Sequence, residues 1–296
     1  MSGRLGYGSG ILCVMLAGTF WSLMGLAIKL IDSAATWQIV LYRSLGLIPV
    51  LFLFIAIRTG RSPVRTIREA GLPAVVGATG LVAAFSGGIF SIQETTVANA
   101  VFLFATAPLF TAVLAWPVLG ERVGKRTWIA VGAGLVGVIV MVNDGIARGA
   151  FLGNLAAVIS AIGFAIFTLS LRWGRFSDMA SSVLLAGVLS LAVSVAMCLL
   201  LRQSLVISAH DTAISFLMGA GLLGCGLTIY TIGSRTVPAA ELALLAMTEV
   251  LLAPVWVWLV LGETAGFWTL AGGAILMSAI AGNALVGIRN LPRAHA

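Results

Sequence analysis

Residues 105–122 read ATAPLFTAVLAWPVLGER, and residues 247–264 repeat the pattern as MTEVLLAPVWVWLVLGET. Both copies close on Leu-Gly-Glu, and the two closing motifs lie 142 residues apart in a chain of 296. Glycines in the first and fifth apolar stretches return at nearly the same offset in the sixth and tenth. This repeat predicts two related halves, residues 1–145 and 146–296.

The composition is that of a membrane protein. Hydrophobic residues make up 60% of the chain and charged residues 9%, with a mean hydropathy of +1.11, whereas soluble domains are about 45–50% apolar and about 25% charged. The net charge of +7 comes from basic residues in short loops, without the basic run typical of nucleic-acid binding. The two histidines and three cysteines lie far apart, so we expect no nucleic-acid partner, no metal, no disulfide framework and no cofactor.

Ten apolar stretches approach the length of about 20 residues that a helix needs to cross a membrane. They are predicted at residues 8–30, 37–57, 71–92, 98–119, 128–142, 151–171, 180–201, 212–232, 239–261 and 267–287. The fifth is the shortest and is expected to begin earlier, near Lys125. The sequence therefore predicts an all-α polytopic membrane protein with ten transmembrane helices.

The basic residues also indicate how the predicted spans are oriented. Thirteen of the 17 lysines and arginines fall in loops on the side of the amino terminus, three fall on the opposite side, and Arg43 lies within a span. Because cytoplasmic loops carry an excess of Lys and Arg, both termini are expected in the cytoplasm. With five spans in each half, the second half enters the membrane upside down relative to the first, which is typical of inverted-repeat transporters.

A longer segment around the first copy, residues 91–123 (SIQETTVANAVFLFATAPLFTAVLAWPVLGERV), resembles the drug/metabolite transporter superfamily, specifically its ten-helix EamA-type permeases. The shared features are Ala98-Asn99-Ala100, Ala107-Pro108 and Gly120-Glu121, with Phe20-Trp21, Arg43, Glu249 and Gly262-Glu263 elsewhere in the chain. The resemblance implies secondary transport of small metabolites, often amino acids including aromatic ones, out of the bacterial cytoplasm across the inner membrane. Relatives also carry drugs, sugars and nucleotides, so another solute class is the alternative.

Two ionisable residues lie well inside predicted spans, where a charge costs roughly 2.5–3.5 kcal/mol on insertion scales. Glu249 lies about halfway along the ninth span and aligns with Ala107 of the first copy. Glu249 has three candidate roles. It could accept a proton, bind the ammonium of an amino acid, or serve as a hydrogen-bonded carboxyl that fixes helix packing. Arg43 in the second span also has three candidate roles. Its planar guanidinium could bind a substrate carboxylate, form an ion pair with Glu249 or Glu94, or cap backbone carbonyls.

Aromatic side chains within the spans are candidates for lining a substrate cavity, because they pack against apolar groups and attract an ammonium. The candidates are Trp21, Tyr42, Phe102, Tyr230 and Trp256, together with Asn99 beside the turn between the third and fourth spans. Trp21 ranks first because it lies in mid-span beside Thr19 and Ser22. Helix packing and interfacial belts are the structural alternatives for such residues.

Pro108 and Pro254 lie inside predicted helices, where each removes a backbone hydrogen bond. They are candidate hinges for alternating access, one in each half. Val250 stands where the first copy has Pro108, so any kink of the ninth helix is expected a turn later. Glu121 and Glu263 lie at span ends, and we expect them to cap the following helix or hold the turn.

The sequence favours a secondary exporter over other classes of membrane protein. It contains no phosphate-binding loop, zinc-binding His-Glu-x-x-His or intramembrane catalytic dyad, so we expect no enzyme. A channel or a membrane scaffold is the alternative from another class. The expected partners are a small-molecule substrate and the lipid bilayer, and two fused halves favour a functional monomer.

Overall fold

The computed structural model describes residues 7–60, 62–120, 124–147, 150–174, 179–233, 236–237 and 239–289, and these are almost entirely helical. The helices are α1 (Tyr7–Lys29), α2 (Thr36–Thr59), α3 (Pro63–Glu94), α4 (Val97–Leu119), α5 (Lys125–Ala147), α6 (Phe151–Trp173), α7 (Met179–Leu200), α8 (Ala209–Gly233), α9 (Ala239–Leu261) and α10 (Phe267–Arg289). Helices α1–α4 and α6–α8 are long and apolar enough to cross a membrane, and shorter apolar stretches lie in α5, α9 and α10. The fold is that of a multi-pass membrane protein, and the predicted start of α5 at Lys125 is confirmed.

Three of the helices are irregular. In α3, Gly71 adopts φ 62° and ψ −150°, which separates a short leading segment from the apolar stretch that follows. In α4, residues 105–106 interrupt the helix between Val97–Phe104 and Ala107–Leu119. In α8, a π-helical segment, Met218–Cys225, stands between two α-helical ones. π-helical turns are frequent at functional sites, so the residues that contact this segment are candidates for function.

The repeated Leu-Gly-Glu motif ends a helix in the same way in both halves. Gly120 follows α4 with φ 69°, and Gly262 follows α9 with φ 68°. Their amide groups donate to the carbonyl oxygens of Trp116 and Trp258, each over 3.0 Å. Because glycine adopts this left-handed conformation without a steric penalty, the repeated glycine is needed at both positions.

Helices from the two halves pack against each other throughout the bundle. α1 packs against α8 and α9, and α6 packs against α3 and α4, while α2 packs on α7 and α5 on α10. Backbones approach closely where glycines meet, since a Cβ at Gly80 in α3 would lie 2.6 Å from the Gly163 carbonyl oxygen in α6. Such small-residue contacts replace the hydrophobic driving force that lipid does not provide.

Large apolar side chains cover the outside of the bundle. Trp116 and Trp258, which align in the two copies of the repeat, are 59% and 56% exposed. Leu53, Ile57 and Leu259 are similarly exposed. A surface of this kind is suited to lipid, where apolar side chains meet no water.

Candidate functional site

Three of the predicted aromatic residues gather around the middle of α1. The rings of Trp21 in α1 and Tyr230 in α8 lie 5.4 Å apart. The next residue of α1, Ser22, accepts a 2.8 Å hydrogen bond from the indole Nε1 of Trp256 in α9. Gly226 in α8 makes room for Trp21, because a Cβ there would lie 2.5 Å from the Trp21 Nε1. The structure therefore brings Trp21, Tyr230 and Trp256 to the same level of α1.

Arg43 is buried in α2 and its guanidinium lies over an aromatic ring. The residue is 2% exposed, and its Cζ lies 4.1 Å from the centre of the Phe85 ring in α3, a cation–π contact. Its Nε and Nη2 atoms are buried and have no hydrogen-bond partner in the described part of the chain. The predicted pairing of Arg43 with Glu249 or Glu94 is not found among the described residues.

Glu249 lies near the middle of α9 and is partly buried. The helix passes close to α1 at this level, since a Cβ at Gly18 would lie 3.6 Å from the Glu249 backbone nitrogen. Within the described residues, the Glu249 carboxylate forms neither a hydrogen bond nor an ion pair. The hydrogen-bonded packing role that the sequence also allowed is therefore not seen here.

Asn99 and Phe102 are buried in the first segment of α4, and both join it to neighbouring helices. The Asn99 amide donates to the Asn154 side-chain oxygen in α6 and, over 3.3 Å, to the Thr95 hydroxyl. The Phe102 ring packs on Gly273 of α10, where a Cβ would lie 2.7 Å from it. Sequence reasoning missed Asn154, because an asparagine in the first turn of a helix is unremarkable by itself.

One face of the bundle carries residues 30–35, 95–96, 201–208 and 262–266, and it is called the far face below. Tyr42 is anchored there, since its hydroxyl donates to the Leu205 carbonyl over 2.9 Å. An open cleft of about 680 Å³ lies on the same face. Its lining combines polar and aromatic residues: Asp32, Thr36, Trp37, Phe90, Gln93, Glu94 and Gln203.

Glu263 connects three elements on the far face. One carboxylate oxygen accepts the Val97 backbone N–H over 2.7 Å, and the other lies 3.2 Å from the Lys29 Nζ. Lys29 also donates to the Thr95 carbonyl over 2.8 Å. The expectation that Glu263 caps the helix that follows it is wrong, because it caps α4 of the other half, whose first turn faces the end of α9. The matching Glu121 lies outside the described residues.

Asp211 is a buried carboxylate that no sequence pattern singled out. It is 0% exposed and accepts the backbone N–H groups of Asp32, Ser33 and Ala34 over 3.0, 3.1 and 3.0 Å. Asp32, His210 and Asp211 bring their oxygen and nitrogen atoms within 4.8 Å of one another. Since backbone amides already occupy the Asp211 oxygens, the arrangement is explained by the turn that they fix on the far face.

Comparison with known proteins agrees with the helical architecture and with the sequence resemblance. Residues 8–143 match the EamA-like transporter family. The match covers slightly less than half of the chain. No curated protein sequence matches the chain. A solved crystal structure of a protein shares the fold with a TM-score of 0.65 and 19% identity, and the match covers 98% of this chain and 100% of that one.

Pro108 lies just after the break in α4, within the segment that matches this family. It is the second residue of Ala107–Leu119, where the missing amide hydrogen costs no helical hydrogen bond. The predicted span at residues 98–119 is therefore made of two helical segments, and Pro108 lies at the start of the second. Pro254, by contrast, lies inside α9, which runs without interruption from Ala239 to Leu261.

Proposed function

We propose that the protein is a secondary transporter that exports amino acids or related small metabolites across a bacterial inner membrane. The observation that carries this proposal is the match of residues 8–143 to the EamA-like transporter family in an apolar, helical chain. A membrane transporter of this family handles small molecules in a lipid environment. Export and amino-acid specificity are the further steps that we propose.

The packing supports two inverted five-helix halves, residues 1–145 and 146–296. α1 packs on α8 and α9, and α6 packs on α3 and α4. In both cases the first helix of one half meets the third and fourth helices of the other. This exchange is expected when a twofold axis in the membrane plane relates the halves. It favours ten crossings, cytoplasmic termini and a far face that is turned away from the cytoplasm.

We propose that the substrate is bound between α1, α8 and α9. Trp21, Tyr230 and Trp256 come together there, and aromatic faces attract an ammonium group. Glu249 on α9 has no partner within the described residues, and in our proposal it meets the ammonium or takes up a coupling proton. Tyr42, Asn99 and Phe102 hold the adjoining helices in register through the contacts described above.

Alternating access would come from rocking of the two halves about the fixed site. The break at residues 105–106 gives α4 a point of bending, and Pro254 leaves α9 without one backbone hydrogen bond. We propose these positions as the hinges. A single chain then supplies both halves of the pathway, so the monomer is the functional unit.

Counterflow in liposomes tests the transporter. Purified protein is reconstituted with internal unlabelled solute, and entry of labelled solute is followed for amino acids, sugars, nucleotides and cationic drugs. We expect saturable counterflow of amino acids that is absent from protein-free liposomes. Flux without saturation or counterflow would indicate a channel, and absence of flux for every solute would indicate a scaffold and overturn the proposal.

A further inference from the structure

We propose that Arg43 forms a carboxylate-binding site, so that the transported metabolite is recognised by a carboxylate group. This inference rests on the proposed transport function and makes its substrate class specific. It starts from an arginine that is 2% exposed and whose Nε and Nη2 atoms find no partner in the described structure.

The two unpartnered atoms form one edge of the guanidinium plane. Nε and Nη2 direct parallel N–H groups outward from the same edge, and the two oxygens of a carboxylate accept such a pair together. An arginine with a purely structural role would instead be expected to donate these hydrogen bonds to backbone carbonyls or to a neighbouring carboxylate. Neither kind of partner occupies this edge among the described residues.

Phe85 restricts how a ligand can approach Arg43. The centre of its ring lies 4.1 Å from the Arg43 Cζ, so the cation lies over the ring on that side. The ring stabilises the cation, while Nε and Nη2 have no hydrogen-bond partner in the described structure. A cation inside a span requires compensation by a counter-charge or by polar groups, and a substrate carboxylate would provide both at once.

The surroundings of Arg43 suit a ligand that has an apolar body as well as an anionic group. Phe85 and Trp21 border the same hydrophobic cluster, which includes Leu81 and Leu227. The Trp21 Nε1 is a second buried donor without a partner in the described structure. Hydrogen-bond donors next to an apolar surface suit a ligand that has a carboxylate and a hydrophobic side chain. They suit a polyamine or a cationic drug less well.

The backbone of Arg43 lies against the irregular part of α8. A Cβ at Gly219 would clash with the Arg43 carbonyl oxygen, so the π-helical segment touches α2 at this residue. The π turns lie beside the proposed site and provide a means for α8 to adjust when a ligand enters.

Competition against labelled phenylalanine counterflow tests the site. All four competitors share a phenyl group. Phenylalanine and 3-phenylpropionate carry a free carboxylate, whereas phenylalanine methyl ester and 2-phenylethylamine do not. We expect the first two to compete and the last two to be at least 10-fold weaker. In Arg43→Gln the affinity for phenylalanine should fall about 10- to 100-fold and the preference for carboxylates should disappear, whereas Arg43→Lys should keep a reduced preference.

Arg58→Gln is the matched control, because Arg58 lies on the same helix with its Cζ 5.6 Å from the Phe54 ring. It should keep the affinity and the preference for carboxylates. Size-exclusion profiles establish that each variant is folded, and a preference that is unchanged in Arg43→Gln and Arg43→Lys would overturn the inference. If the unaltered protein shows saturable counterflow only of solutes without a carboxylate, the carboxylate site is wrong but the proposed transport function still holds. If the unaltered protein shows no saturable flux of any solute, both proposals are wrong.

Discussion

α4 and α9 contain the two similar segments that close on Leu-Gly-Glu, yet they differ at their centres. α4 is interrupted at residues 105–106, whereas α9 is continuous through Pro254. α9 carries Glu249 where α4 has Ala107. Both end in the same left-handed glycine. The two segments therefore share the helix end and differ in the middle, where α4 is interrupted and α9 carries an ionisable side chain.

The largest expected effect concerns the charge in α9. Glu249→Gln should slow counterflow about 100-fold, because a charge-assisted hydrogen bond contributes about 1.5–3 kcal/mol. The initial rate in liposomes measures this, with and without an imposed pH gradient. If Glu249 carries the coupling proton, the variant should lose its response to the gradient while exchange continues.

Glu94→Gln is the control for Glu249, since Glu94 is an exposed carboxylate in the far-face cleft. It should transport at close to the unaltered rate. Equal counterflow rates in Glu249→Gln and the unaltered protein, together with the same response to the pH gradient, would show that the charge in α9 serves neither substrate nor proton.

The break in α4 gives the next largest effect. In Pro108→Ala the new amide can donate to the Phe104 carbonyl, which would join Val97–Phe104 to Ala107–Leu119 in one helix. We expect thermal stability to rise and counterflow to slow about 10-fold, in line with an effect of about 1.4 kcal/mol on the barrier. Parallel measurement of unfolding temperature and initial rate checks both effects.

Pro254→Ala separates a hinge from a simple gain in helix stability. α9 is already continuous, so the substitution adds one hydrogen bond without joining two segments. It should stabilise the protein and change the rate less than Pro108→Ala does. A slower rate in Pro254→Ala than in Pro108→Ala would place the main hinge in α9.

The helix ends could be predicted from the sequence because they depend on neighbours in the chain. Gly120 and Gly262 bond to carbonyls four residues earlier, and the start of α5 near Lys125 is expected because the fifth apolar stretch is short for a span. The partners of Glu263 and Arg43 could not be predicted in this way. Val97 is 166 residues from Glu263, and Phe85 belongs to another helix than Arg43, so packing alone brings these pairs together.

The smallest effect concerns the end of α9 and the start of α4. Glu263→Ala should lower stability by about 1–2 kcal/mol, because it removes the acceptor for the first amide of α4 as well as a partly exposed ion pair. Lys29→Ala removes the ion pair with Glu263 and the hydrogen bond to the Thr95 carbonyl, but it keeps the helix cap on α4. Its effect on stability should therefore be smaller. Thermal unfolding in detergent compares the two variants. An equal loss in both would mean that the ion pair, rather than the helix cap, joins α9 to α4 across the two halves.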